Sequence, residues 1–361
     1  MEEGVFEMKR LKIYYLKGFF KVFSILVVGL SLVMSLFALI EKLDELMPLG
    51  LSAGEIAFYG ILNFPKYLSY VMPLAALLSG LFVFGQASRF KETVAVKAGG
   101  GRLKLLLMPF ILTGAGLSLF NFGLNEFVVP EASVKAKDMS RPERKAGMPL
   151  FEESMGTVWL RAKDGSFVRL GFYLPERNLA KDVSIFRTAG GRLIERIEAA
   201  QAAYGPDGWL LEEVRIYDIE KGQTKELPRM SYRGLESPKS LLRDVRKPEE
   251  MGIAGLRRYL RKLKEAGLRN PKLTVDMQAK VSYPFVNIFM LAIGVSLSVR
   301  RGMGGLLSGG FGLLIALLYW VGFTTALSLG YAGILPAPAA AWLAPLVFGA
   351  VAVYLFRTIP E

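Results

Sequence analysis

Long runs without charge dominate this chain and limit what it can become. Residues 22–40, 67–88, 105–125, 281–299 and 302–356 contain no Asp, Glu, Lys or Arg. At 1.5 Å of rise per helical residue, each of the first four crosses a hydrocarbon layer of about 30 Å. The fifth is long enough for two crossings, and Gly-Tyr-Ala-Gly-Ile-Leu-Pro-Ala-Pro at 330–338 supplies turn chemistry between them. The pattern predicts an α-helical polytopic membrane protein with six spans.

Charge placement orients those spans. Lys9, Arg10, Lys12, Lys17 and Lys21 precede the first run, the loop at 41–66 holds more acid than base, and residues 89–104 are basic. The Lys/Arg bias therefore places the first of these loops outside and the second inside, with both termini cytoplasmic. Arg300-Arg301 and Arg357 agree with this arrangement. The first run ends in Glu41-Lys42-Leu43-Asp44-Glu45 with no small-residue cleavage pattern, so it reads as a span and not as a signal peptide. Residues 54–64 are apolar but too short to cross alone; they either pack at the outer interface or extend the second helix with a kink at Pro65. Pro130 is expected to stop the third span.

From 130 to about 246 the long apolar blocks give way to short alternating ones. Strands are expected at 157–162, 167–173, 183–187, 192–204, 209–218 and 224–232. Lys163-Asp164-Gly165, Gly190-Gly191, Gly205-Pro206-Asp207-Gly208 and Lys221-Gly222 mark turns between them. Short strands at regular spacing argue a small β-sandwich or jelly roll inserted between the third and fourth spans. Residues 248–268 return to helical spacing, with Leu256, Tyr259, Leu260 and Leu263 on one side and five basic residues around them. That helix either rests on a membrane interface or packs on its own domain. The expected division is an N-terminal transmembrane half at 1–129, a β-domain at 130–247, a connecting amphipathic helix at 248–272 and a C-terminal transmembrane half at 273–361.

The chain has neither Cys nor His, which removes Ser-His-Asp and Cys-His catalysis and zinc sites of the usual kind. No G-x-x-x-x-G-K-[ST] phosphate loop is present, so any ATP that is used binds to another chain. Carboxylate chemistry remains open in principle, while nothing calls for a cofactor in this chain or for nucleic acid. Residues 86–104 form a short charged island between two spans. Residues 87–98 lack Gly and Pro and can form one short helix, with Phe90, Val94 and Ala98 on a stripe among Arg89, Lys91, Glu92 and Lys97; Gly99-Gly100-Gly101 then stops it. An apolar stripe here fits a docking surface for a soluble partner; a helix lying on lipid head groups, or a solvated turn, fits it too.

In order along the chain, Pro65-Lys66, Met72-Pro73-Leu74, Glu92 through Ala98 with Gly100, Asn125-Glu126 and Val128-Val129-Pro130 resemble the lipopolysaccharide-export permeases of the LptF/LptG (YjgP/YjgQ) type. Trp159 with Ala162-Lys163-Asp164-Gly165 and Phe167-Val168 adds to the match, as do Leu256, Tyr259-Leu260, Leu263 and Gly267. The Trp-x-x-Ala-Lys-Asp-Gly strand resembles the LptG branch more than LptF. The resemblance implies a permease subunit of an ABC transporter in the inner membrane, paired with an LptF-like or LptG-like permease above an LptB-like ATPase dimer that binds ATP and Mg. It implies a periplasmic β-jelly roll that joins LptC/LptA-like jelly-roll proteins, and lipopolysaccharide as the cargo. Under it, residues 87–98 become a coupling helix in which Arg89, Phe90, Glu92 and Val94 meet the ATPase, Glu92 matching the family's acid. A local ion pair of Glu92 with Arg89 or Lys91 is the competing role.

An anionic phosphorylated head group calls for cations at the outer face, and Lys42, Lys66 and Lys137 are the candidates, with Arg141 nearby. Interfacial lysines also serve simply as helix anchors. LptG relatives often carry a basic residue where this chain has Glu41, and a shift of one position to Lys42 turns a helical side chain by about 100°. Phe37, Phe311, Leu314 and Leu318 either line an acyl-chain path or face lipid. A membrane-anchored scaffold whose β-domain recruits envelope proteins without transport is the alternative function. An ion-coupled transporter fits poorly, because the charges sit at span ends and not within the spans.

Overall fold

A computed structural model describes residues 2–140, 153–154, 157–162, 164–174, 178–189, 192–205, 208–219, 222–235, 250–265, 270–301 and 306–360. The expected turn centres Gly190-Gly191 and Pro206-Asp207, together with Arg141, Lys163 and Gly267, lie outside the described residues. In chain order the helices are α1 (Glu2–Leu46), α2 (Ala53–Arg89), α3 (Glu92–Ala98), α4 (Leu103–Gly123), α5 (Val129–Met139), α6 (Ile253–Glu265), α7 (Pro271–Ser282), α8 (Val286–Arg301), α9 (Leu306–Tyr331) and α10 (Ala337–Arg357). The strands are β1 (Glu153–Ser154), β2 (Thr157–Arg161), β3 (Phe167–Leu174), β4 (Leu179–Ala189), β5 (Arg192–Gly205), β6 (Gly208–Asp218) and β7 (Gln223–Tyr232). Contacts divide the chain into a helical unit, Met1–Ser140 with Pro248–Leu256 and Arg269–Glu361, and a sheet unit, Arg141–Lys247 with Arg257–Leu268.

Six stretches of the helical unit are long and apolar enough to cross a membrane: Lys9–Leu49, Ala53–Arg89, Leu103–Met139, Pro271–Arg300, Ser308–Tyr331 and Ala337–Arg357. Ser52 starts α2 through a capping box: its hydroxyl accepts from the Glu55 N–H at 3.3 Å and the Glu55 carboxylate accepts from the Ser52 N–H at 2.9 Å. The helix then runs through Pro65 and Pro73, so residues 54–64 are its first turns. The expected stop at Pro130 is also passed. Pro130 has no N–H to return to the Glu126 carbonyl, and the helix widens to a π turn at Leu124–Val128, where the Val129 N–H reaches Leu124, before continuing to Met139.

Aromatic rings and small residues bring the spans together. Tyr15, Phe19 and Phe23 of α1 lie in one buried cluster with Phe84 of α2 and Phe110 of α4, the last two in edge contact at 4.9 Å. Where α2 meets α8, a Cβ on Gly294 would stand 2.6 Å from the Leu77 carbonyl oxygen; where α4 meets α8, one on Gly114 would stand 3.0 Å from the Ile288 Cα. Only glycine lets these backbones approach so closely.

The sheet unit holds one antiparallel sheet in the order β1 to β7, each strand beside its sequence neighbours. All six expected strands are present, β4 beginning four residues earlier than expected. Its inner face buries Val168, Leu170, Ile185, Ile197, Trp209 and Leu211 among others. The pairing skips Gly171 opposite Asp182, Asp182 opposite Ala200, Ala200 opposite Glu213 and Glu213 opposite Pro228, forming a row across five strands. Asp182 and Glu213 both have a φ of 53°, and Pro228 brings no N–H to a ladder that is already interrupted there. Across that row the inward positions shift by one residue, from Val183 to Ala180 on β4 and from Val214 to Leu211 on β6, so both sides of the crease feed one core. The Ala-Lys-Asp-Gly motif closes the β2–β3 hairpin: Gly165 takes a φ of 84°, and Asp164 accepts from the Ser166 N–H at 3.1 Å and from the Tyr232 hydroxyl at 3.0 Å. Burial pushes the Asp164 carboxyl up, but the hydrogen bonds from Ser166 and Tyr232 with the charge of Arg187 outweigh it and hold the group below the usual Asp range.

Candidate functional site

The charged island is built as a bracket between α2 and α4. The helix expected over 87–98 is two pieces: residues 87–89 end α2, Lys91 turns left-handed at φ 58°, and α3 begins at Glu92. That backbone costs a non-glycine residue about 1–2 kcal/mol and redirects the chain where no Gly or Pro announces it. At the far end, the Gly101 N–H reaches the Val96 carbonyl at 2.8 Å and the Gly100 N–H reaches Lys97 at 2.9 Å. This is a Schellman closure in which Gly100 takes a φ of 75°.

The two sides of α3 differ. Thr93 is buried and Val96 packs against the aromatic core of the spans. Phe90 is 67% and Val94 59% exposed on the other side, with Arg89 and Lys91 also exposed beside them. Glu92 is half-buried and accepts a hydrogen bond of 2.7 Å from the hydroxyl of Tyr15, a residue of α1 that is only 3% exposed. The competing local ion pair with Arg89 or Lys91 is not formed among the described residues. The bracket thus presents two apolar side chains and two cations outward, while its one acid is tied to the first span.

The three lysines expected at the opposite ends of the spans lie on three helices. Lys42 on α1 pairs with Glu45 at 2.6 Å in an exposed position, and Lys66 is half-buried in α2. The Lys137 ammonium, on α5, donates to Glu250 at 2.9 Å, with side chains 16% and 7% exposed, so it is engaged inside the protein. Its partner lies 113 residues further on, beyond the reach of any local pattern.

Neighbouring contacts make that region a fastening. Glu126, in the π turn, accepts from the Ile253 N–H at 2.5 Å and the Ala254 N–H at 3.3 Å, capping the start of α6 from another helix. Lys280 donates to the Met251 carbonyl at 2.6 Å. Asn125 donates to Ser69 at 2.5 Å and to Asn121 at 2.9 Å, and Ser69 donates to Asn121 at 2.6 Å, which joins α2 to α4. The Asn125-Glu126 motif therefore holds elements together through both residues. Tyr15, Glu250 and Lys280 went unnoticed in the sequence, where each is one common residue without a patterned partner.

No group of acidic residues suited to a metal occurs among the described residues. What the segment offers is an exposed apolar and cationic face beside a short helix packed against the spans. Phe37, Leu314 and Leu318 are exposed on the spans, available to lipid or to another subunit.

Residues 13–358 match the family model described as lipopolysaccharide export system permease LptF/LptG. The chain is 24% identical over 285 residues to the lipopolysaccharide export system permease protein LptG of Escherichia coli K12, covering 76% of this chain and 78% of that protein. It is 25% identical over 272 residues to the LptG of Haemophilus influenzae, covering 73% and 75%.

Proposed function

Because the chain belongs to the LptF/LptG family of lipopolysaccharide export permeases, we propose that it is the LptG-type permease subunit of an ATP-driven exporter in the inner membrane. It pairs with a second permease chain of the same family, and a dimeric ATPase beneath them supplies the energy. The carrying observation is the bracket at 90–98. Phe90, at the turn before α3, and Val94, on α3, stand exposed, while the other side of that short helix is packed into the spans, in a chain with no phosphate loop of its own.

In this reading ATP-driven closure of the partner pushes on Phe90 and Val94, which seat in apolar grooves, while Arg89 offers a charged contact that fixes register. Glu92 holds the bracket to the spans. Lipopolysaccharide enters from the outer leaflet between the two permeases, where Lys42 and Lys66 meet its phosphates; Lys137 braces the fold through Glu250. The sheet unit lies in the periplasm and passes the lipid to similar sheets of the export bridge.

Purification of the detergent-solubilised chain from its native membranes, followed by identification of copurifying proteins, tests this. An ATPase and a second permease are expected, and in proteoliposomes the complex releases lipopolysaccharide only with ATP. Glu92→Lys should abolish release while the chain still inserts. Recovery of envelope proteins through the sheet unit with no ATPase would instead support the scaffold.

A further inference from the structure

We propose that Tyr15 is the positioning residue that transmits movement of α3 to the first span; the inference rests on the exporter reading above. Two observations meet at this residue, and a third lies one turn further along α1. Its hydroxyl donates to the Glu92 carboxylate at 2.7 Å, a charge-assisted bond across 77 residues of chain. Its ring stacks on Phe84 of α2, with centroids 5.2 Å apart at 27°, while Phe84 in turn meets Phe110 of α4 edge-on. Phe19, four residues along α1, meets the same Phe110 at 5.8 Å.

The backbone gives that bond its importance. α3 is seven residues long, with a left-handed Lys91 before it and a left-handed Gly100 just beyond it, so the chain changes direction at both ends and α3 continues neither α2 nor α4. Thr93 and Val96 hold its inner side to the spans by packing, which resists separation but is non-directional. A hydrogen bond has direction, and the one from Tyr15 ties the first residue of α3 to a fixed point on α1. When a partner pushes the exposed face, the pull falls on α1, whose outward residues Ile25, Leu32 and Phe37 are exposed on the span itself. The outer side of that span is exposed, while its inner side shares the aromatic core through Tyr15, Phe19 and Phe23, so a pull on Tyr15 acts on the span where it is packed.

Tyr15→Phe isolates the hydroxyl, because the ring and its stacking remain. In the full complex reconstituted with lipopolysaccharide, the variant should hydrolyse ATP within about twofold of wild type, while lipid released per ATP falls roughly tenfold, the loss expected for one bond to a charged group. A second readout follows the linkage itself. The chain has no cysteine, so nitroxide labels at Lys17→Cys and Ala98→Cys report the distance between α1 and α3. In wild type that distance should be the same before and after nucleotide trapping; in Tyr15→Phe it should change on trapping, because α3 moves alone. Unchanged release per ATP in Tyr15→Phe would overturn the inference, as would reduced release with an unchanged distance. Absence of ATP-dependent release from wild type would instead overturn the exporter reading, and this inference with it.

Discussion

The ion pair of Lys137 with Glu250 offers a quantitative check. Both groups are largely withdrawn from water, at 16% and 7% exposure, and lie 2.9 Å apart. Removing one member leaves the other charge in a poorly solvated site, which typically costs about 3–5 kcal/mol. Replacing both by apolar residues of similar volume removes two desolvation penalties together with the attraction, and is close to neutral or stabilising. Lys137→Ala and Glu250→Ala should therefore each lower the unfolding temperature in detergent, by about 6–15 °C if 1 kcal/mol corresponds to about 2–3 °C in a chain of this size. The double variant Lys137→Met with Glu250→Leu should melt within a few degrees of wild type. Loss of helical circular dichroism on heating follows the unfolding. A Lys137 that instead faced a phosphorylated head group would give an Ala variant that is stable but impaired in release. Wild-type melting of Lys137→Ala, or a double variant as unstable as the sum of the singles, would refute the reasoning.

Gly294→Ala places a methyl group 2.6 Å from the Leu77 carbonyl, against backbone that cannot rotate away; a loss of about 1–3 kcal/mol is expected in the same assay, and wild-type stability would show that α2 and α8 do not pack so closely. Asp164 has a carboxyl pKa depressed in the folded state. Its contribution is thus fully present above the unfolded value of about 3.9 and is lost as pH falls through the lower folded value. Unfolding of the sheet unit followed by fluorescence from buried Trp209 should show a loss of stability below about pH 4 that Asp164→Asn diminishes; an identical acid profile in the variant would remove Asp164 from the account.

The spans were legible because hydrocarbon tolerates so little charge that a run of twenty neutral residues has few other uses. The strands were legible because alternation and Gly-rich turns repeat at short range. Pro130 misled for a physical reason, whereas at Pro65 the extended second helix was one of the two expected outcomes. A proline missing one N–H reads as a local stop, yet a π turn accommodates Pro130 and the helix goes on to Met139. The sheet's crease went unread: Gly171 and Pro228 fall inside the expected strands, and Asp182 and Glu213 adopt left-handed backbone that their side chains do not announce. Lys91 hid the break before α3 in the same way. Phe90, Glu92 and Val94 could be placed on one segment from spacing alone, but which of them faces inward depends on Tyr15, 77 residues away. Lys137 looked like a free cation for as long as Glu250 was only a distant acid.

Photo-crosslinking from the bracket at 90–98 tests the central claim most directly. A photoreactive residue at position 90 or 94, activated in intact membranes, should yield an adduct with an ATP-binding protein, and the yield should change when nucleotide is trapped. Adducts with lipid alone at both positions would mean that the exposed face of the bracket rests on the bilayer and takes no force from a partner.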